Sequence, residues 1–209
     1  MKTERKRVTR VLAVLLAFAM LLPFANVERT EAAAKKNVVI LYFSATGTTK
    51  GAAKRIKKST KGTLIEIKAK DPYTDDDLDY GDSDSRVTKE HESADSPAAS
   101  SVRPEISNLK AIKKAVKKAV KKADVVYIGY PIWWGEAPHI VYSLVENVSL
   151  RGKTVVPFST SISSGMGDSA KNLKGNAKIS SKTKWLSGRG FYDVPSQKTV
   201  NKWVKSLKY

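Results

Sequence analysis

The chain has 209 residues, 38 Lys and Arg against 20 Asp and Glu, a formal charge of +18 and no cysteine. Its length fits one domain with a tail, and a hydrophobic fraction of 41% excludes global disorder. The missing cysteine excludes disulfides, thiolate metal sites, Fe–S clusters and thiol catalysis, and the two histidines, His91 and His139, lie too far apart in sequence to suggest a His-based metal centre.

Residues 1–34 read as an export signal. Lys2, Arg5, Lys6, Arg7 and Arg10 precede an apolar run from Val11 to Leu22, then Pro23 and the small residues Ala32, Ala33 and Ala34. As a helix this run would reach roughly 18 Å, short of a bilayer core of about 30 Å. A cleaved signal is therefore expected rather than a stable membrane span, giving an exported, secreted or envelope-associated bacterial protein. No Arg-Arg pair is present, so export of an unfolded chain is expected, with any cofactor acquired outside the cytoplasm. The signal holds six bases and three acids, so the chain from residue 35 keeps +15.

From there strands and helices alternate. Asn37 to Phe43 is a continuous apolar run typical of a strand buried on both faces. A turn of small residues, 44–49, leads into a helix over Thr49 to Lys58, and Thr63 to Lys68 reads as a second strand. Residues 69–104 have no clear period and are rich in Asp, Ser and Pro. Glu105 to Lys122 is an amphipathic helix with Ile106, Leu109, Ile112, Val116 and Val120 on one face and seven lysines on the other. Asp124 to Gly129 is a third strand, His139 to Val148 a helix, and Lys153 to Ser159 a fourth strand. Asp168 to Lys174 is a short helix with Asp168 as candidate N-cap. Residues 183–192 hold a fifth strand, and Ser196 to Leu207 is the closing helix. The pattern predicts an α/β fold, a doubly wound five-stranded parallel sheet with helices on both faces. In such sheets ligands bind beyond the carboxyl ends of the strands, which here carry the loops 44–49, 69–104, 130–137 and 160–167.

Ser44-Ala45-Thr46-Gly47-Thr48-Thr49 places hydroxyls and backbone N–H groups at a helix N-terminus, a phosphate-binding arrangement that needs no Lys or Arg. Neither the triphosphatase loop G-x-x-x-x-G-K-[ST] nor the dinucleotide loop G-x-G-x-x-G is present. With the strand before it, VVILYFSATGTTK resembles the phosphate loop of flavodoxins, [ST]-x-T-G-x-T. DVVYIGYPIWWGEAP (124–138) resembles the third-strand loop of a bacterial flavodoxin-like family, 150–173 its fourth strand and second flavin loop, and 71–90 its characteristic insertion. The resemblance spans about residues 37–208 and implies a domain over 35–209 that binds FMN.

It assigns the FMN phosphate to Ser44, Ala45, Thr46, Gly47, Thr48 and Thr49. Pro131, Ile132, Trp133, Trp134 and Gly135 are assigned to the flavin ring, with one tryptophan stacking and the other packing into the domain. Thr160, Ser161, Ser164, Gly165 and Gly167 are expected to close the other side. The flavin would carry the chemistry, so no side-chain nucleophile or base is assigned. Electron transfer or reduction of a small acceptor is expected, with a redox partner or small-molecule acceptor.

Residues 71–95 carry ten acids and two bases, leaving +23 on the rest of the chain from residue 35. The spacing fails the EF-hand pattern; the resemblance implies a loop folded over the flavin with Tyr73, Tyr80 and Arg86 turned inward. The +15 charge and the lysine helix, with its lysines over 110–122, suggest an alternative, a non-redox scaffold for anionic cell-envelope polymers. No signature of specific nucleic-acid recognition is present.

Overall fold

The computed structural model describes residues 36–119 and 124–209; the segment read as an export signal, 1–34, and the last residues of the predicted 105–122 helix lie outside them. Strand β1 (Asn37–Tyr42) leads to helix α1 (Thr48–Thr60) and β2 (Thr63–Glu66). The insertion follows, with a 3₁₀ turn at Asp76–Leu78 and a helix α2 (Arg86–Glu92). Then come α3 (Leu109–Ala119), β3 (Asp124–Pro131), α4 (His139–Asn147), β4 (Thr154–Ser161), α5 (Ser169–Asn176), β5 (Lys184–Trp185), β6 (Arg189–Tyr192) and α6 (Gln197–Ser206).

All pairings within the sheet are parallel, in the order β2-β1-β3-β4-β5, with β6 also paired to β4. Alternate residues of each strand face opposite layers. Val38, Ile40, Tyr42, Tyr127, Val156 and Phe158 pack with Ala52, Ala53 and Ile56 of α1 and Val200 and Trp203 of α6. Val39, Leu41, Phe43, Val126, Ile128 and Tyr130 pack with Ile112 and Val116 of α3, Ile140 and Leu144 of α4, and Leu173 of α5. Burying side chains of this size contributes about 1.5–3 kcal/mol each, so two apolar layers hold the strand ends that position the loops. Among the described residues no helix is long and apolar enough to cross a membrane.

Four local expectations change. The fifth strand is split: β5 pairs with Thr154 and Val155, β6 with Phe158 to Ser161. Leu186 N–H bonds the Val155 carbonyl, so the next β4 residue facing this edge is Pro157, which has no N–H to offer. Helix α3 starts at Leu109 rather than Glu105, because 105–107 form a strap against 68–70: Lys70 N donates to Glu105 O at 2.8 Å and Ser107 N to Lys68 O at 2.9 Å. Asp168 precedes α5 but makes no side-chain cap bond. Finally, the aperiodic 69–104 segment contains α2, whose N-cap Ser85 accepts from Thr88 N.

Candidate functional site

The topology switches direction between β1 and β3, and the loops leaving their carboxyl ends face each other there. Ser44 Oγ accepts from Gly47 N at 3.1 Å and Lys50 N at 3.2 Å, which fixes the turn. Gly47 is left-handed, φ 95°, a conformation that glycine adopts without steric cost. The N–H groups of Thr48 and Thr49 find no partner among the described residues, and the first turn of α1 holds no acid. Ala45, Thr46 and Gly47 are exposed and Thr48 half-buried. These donors, at the positive end of a 13-residue helix, suit a dianion. Thr49 lies lower, 1% exposed, its hydroxyl 2.8 Å from that of Thr160, tying the first loop to the end of β4.

The second loop is a tight reversal. Trp133 and Glu136 exchange backbone hydrogen bonds, both 2.9 Å, around Trp134 at φ 51° and Gly135 at φ 80°. Two positive φ values make this a type I′ turn, in which tryptophan is an uncommon occupant. The backbone is thus held so that the Trp134 ring stands 42% exposed. Trp133 points into the domain, edge-on to Phe43 at 5.5 Å and Tyr73 at 5.1 Å. Pro131 ends β3 opposite Thr160, and Ile132 N donates to the Thr160 carbonyl at 2.9 Å.

The third loop follows Ser161, whose Oγ accepts from Gly165 N at 3.0 Å. Gly165 and Gly167 both have positive φ, and a Cβ on Gly167 would lie 3.6 Å from the Gly135 carbonyl, so the second and third loops touch. Ser163 and Ser164 are exposed and Ile162 is 99% exposed. Asn172 of α5 donates to Glu136 Oε1 at 2.7 Å and braces the same junction. Burial raises the Glu136 carboxyl above its usual range.

The insertion roofs one side. Its acids fold it locally: Asp77 accepts from both Thr74 N and Thr74 Oγ1 at 2.9 Å, and Asp79 and Asp82 accept from backbone N–H groups two residues on. Arg86 lies 3.8 Å over the Tyr73 ring and bonds Glu90 at 2.9 Å, while Tyr73 donates to Glu90 at 2.8 Å. Tyr73 and Arg86 are therefore turned inward. Tyr80 is 44% exposed and instead rests on Trp134 with ring centroids 5.3 Å apart. Burial outweighs both partners and lifts the Glu90 carboxyl above its ordinary range.

His91, to which the sequence assigned no role, stacks on Trp134 at 4.7 Å and 5°. The helix propensity of RVTKEHE after the Ser85 cap could have revealed it, but the run of aspartates before it reads as loop. His139 lines the cavity beneath, with Val87, Glu90, Trp133 and Trp134. Burial, then Arg103 and His91, push its imidazole down to about 4 against a weaker pull from the Val102 backbone.

An open parallel α/β sheet with an acid-free helix N-terminus and an aromatic turn meeting at its switch point defines the class: a doubly wound protein whose candidate site lies at the carboxyl ends of its strands. The family model described as Flavodoxin matches residues 36–207. A structure assigned as a flavoprotein from Bacteroides eggerthii is 36% identical over 82% of this chain and 99% of its own, with a TM-score of 0.65. One from Bacteroides uniformis is 35% identical over the same shares, with a TM-score of 0.64. No curated protein matches the chain. The chain belongs to the flavodoxin family.

Proposed function

We propose that this chain binds FMN and works outside the cytoplasm in electron transfer or in reduction of a small acceptor. The observation that carries the reading is the juxtaposition of an acid-free helix N-terminus, with unpartnered Thr48 and Thr49 N–H groups, and a rim of exposed apolar side chains. Among the described residues, Tyr80, Trp134, Ile162 and Tyr192 are four of the five large apolar residues left exposed, and all four lie on the insertion or at the carboxyl ends of the strands. A phosphate and a flat, amphipathic ring fit such a pair of surfaces. Membership of the flavodoxin family supports the same ligand, and residues 1–34 support export by their charge and apolar pattern.

Ser44, Thr46, Gly47, Thr48 and Thr49 would hold the phosphate. Trp134 would offer the part of its ring left exposed beside His91 and Tyr80, with Ile132 and Gly135 next to it, while Ser161, Ser164, Gly165 and Gly167 would close the opposite edge. When bound, FMN supplies the redox chemistry, and this chain's residues bind it, orient it and exclude water from it. Titration of the purified protein with FMN, followed by flavin fluorescence, is expected to give saturable binding at micromolar concentration or below. Absence of binding there overturns the reading.

A second reading, an envelope scaffold without redox activity, is favoured by one observation. Eight exposed lysines on α1, α6 and their C-terminal flanks have no ion-pair partner among the described residues. Such a scaffold would leave FMN fluorescence unchanged.

A further inference from the structure

Helices α1 and α6 run side by side on one face of the sheet. Gln197 donates to the Arg55 carbonyl and to Ser59 Oγ, and Ser59 Oγ to Asn201, so residue 197 lies beside 55 and 201 beside 59. The two helices are thus parallel, and neither contains an acid. Lys54, Lys57, Lys58 and Lys61 on or just after the first, and Lys198, Lys202, Lys205 and Lys208 on or just after the second, are all exposed. None is in an ion pair among the described residues; Lys50 alone of the α1 lysines is, at 3.5 Å from Glu66.

Helix stability does not account for this pattern. Lys57, Lys58 and Lys205 sit in last turns, where cations complement the helix dipole. Lys198, however, sits in the first turn of α6, where a cation opposes the dipole, and no acid offsets it. Lys54 with Lys58, and Lys198 with Lys202, are like charges four residues apart, which repel. At Lys198, and between Lys54 and Lys58, the face carries charge that works against its own helices.

We propose that the α1–α6 face binds a linear polyphosphodiester of the cell envelope. Successive charges four residues apart on a helix are spaced by about 6 Å, and neighbouring helix axes by about 8–10 Å, so the lysines form two parallel rows suited to an extended polyanion. The surface lacks what other anionic partners use. None of the exposed large apolar residues lies on these helices, so nothing is offered for insertion into a bilayer. Trp203, the one aromatic residue of the pair, is buried, so no platform is offered to nucleic-acid bases. The rows run away from Thr48, so a bound polymer leaves the loops at the carboxyl ends of the strands open. The inference takes the second reading above to a defined surface and is independent of flavin binding.

The test measures binding of the full chain to fluorescently labelled long-chain inorganic polyphosphate by anisotropy. Four ammonium contacts to a flexible strand give a log–log salt slope of about −3, or about fiftyfold weaker binding for a fourfold rise in salt. The quadruple variant Lys54→Glu, Lys58→Glu, Lys202→Glu, Lys205→Glu is expected to lose about a hundredfold in affinity, and Lys→Gln at the same positions about tenfold, with circular dichroism and FMN titration unchanged. Reversal of the same number of charges on α3, at Lys110, Lys113, Lys114 and Lys117, is expected to cost no more than about threefold. An equal loss from the α3 variant overturns the proposal, because net charge alone would then explain binding. Equally tight binding to phosphatidylglycerol vesicles or to single-stranded DNA of matched charge also overturns it, as does absence of salt-sensitive polyphosphate binding. Because FMN titration is run on the same variants, failure of this inference and failure of the flavin reading are separable.

Discussion

The insertion and the α1–α6 face use charge in opposite ways. Between residues 70 and 103 every Lys and Arg is in an ion pair: Lys70 with Glu105, Arg86 with Glu90 and Asp71, Lys89 with Asp84, Arg103 with Glu146. On the α1–α6 face eight lysines have none among the described residues. The insertion has little apolar material of its own, so partly buried pairs, cation–aromatic contact and Asp-centred turns take over the role of a core. The helical face already has its core beneath it in Ala52, Ala53, Ile56, Val200 and Trp203. Charge in the insertion is therefore part of the fold, and charge on the helices is surplus to it.

The largest expected effects fall on the insertion side. His139, 3% exposed, releases its proton in the native state at about 4, whereas the unfolded chain does so near 6.5. The unfolded state thus binds the extra proton between these values. The stability associated with neutral His139 is complete above pH 6.5 and lost as pH falls toward 4, by up to about 3 kcal/mol. Urea unfolding of wild type and His139→Leu across pH 7 to 4 checks this: the wild type should lose more. Parallel curves would remove His139 from the account. Next comes Glu90→Ala, which leaves the Tyr73 hydroxyl without its acceptor and Arg86 with only Asp71, and should cost about 2–3 kcal/mol. Lys202→Ala should stay within about 0.5 kcal/mol. Similar costs for the two would erase the contrast between the regions.

A smaller effect separates fold from ligand at the boundary between them. Trp134→Gly relaxes the positive φ and should leave stability within about 1 kcal/mol. It removes the exposed ring, so FMN affinity should fall about tenfold, or 1.4 kcal/mol. A full loss of folding would mean that the stack with His91 and Tyr80 holds the insertion down.

Much of this was legible in the sequence because it is periodic. Val38 to Phe43 and the third and fourth strands read as buried runs, and VVILYFSATGTTK and YPIWWG carry enough resemblance to assign the fold and the loops. What stayed illegible depends on long-range partners. Arg86, Tyr73 and Glu90 are 13 or more residues apart in two of their three pairings and meet only through tertiary folding. The inward turn of Trp133 is set by Phe43 and Tyr73, neither adjacent in sequence. The split of β5 from β6 follows from Pro157 in a neighbouring strand, so inspection of 183–192 alone could not find it. Helix α2 was hidden because its seven residues give too few turns for a period.

The smallest effect is the most direct test of surplus charge. Lys198→Glu replaces a cation by an anion in the first turn of α6, where the dipole favours the anion. It also removes repulsion with Lys202 and creates a Glu–Lys pair in the favoured i, i+4 orientation. Together these should stabilise the protein by about 1 kcal/mol, raising Tm by roughly 2–4 °C for a chain of this size. The same change should weaken polyphosphate binding about threefold, since one contact turns repulsive. A surface charge that lowers stability while raising affinity for a polyanion belongs to a partner, and thermal melts with anisotropy on one protein preparation read both quantities. If Lys198→Glu lowers Tm, the lysine contributes to the fold, and the α1–α6 face is held together by charge in the same sense as the insertion.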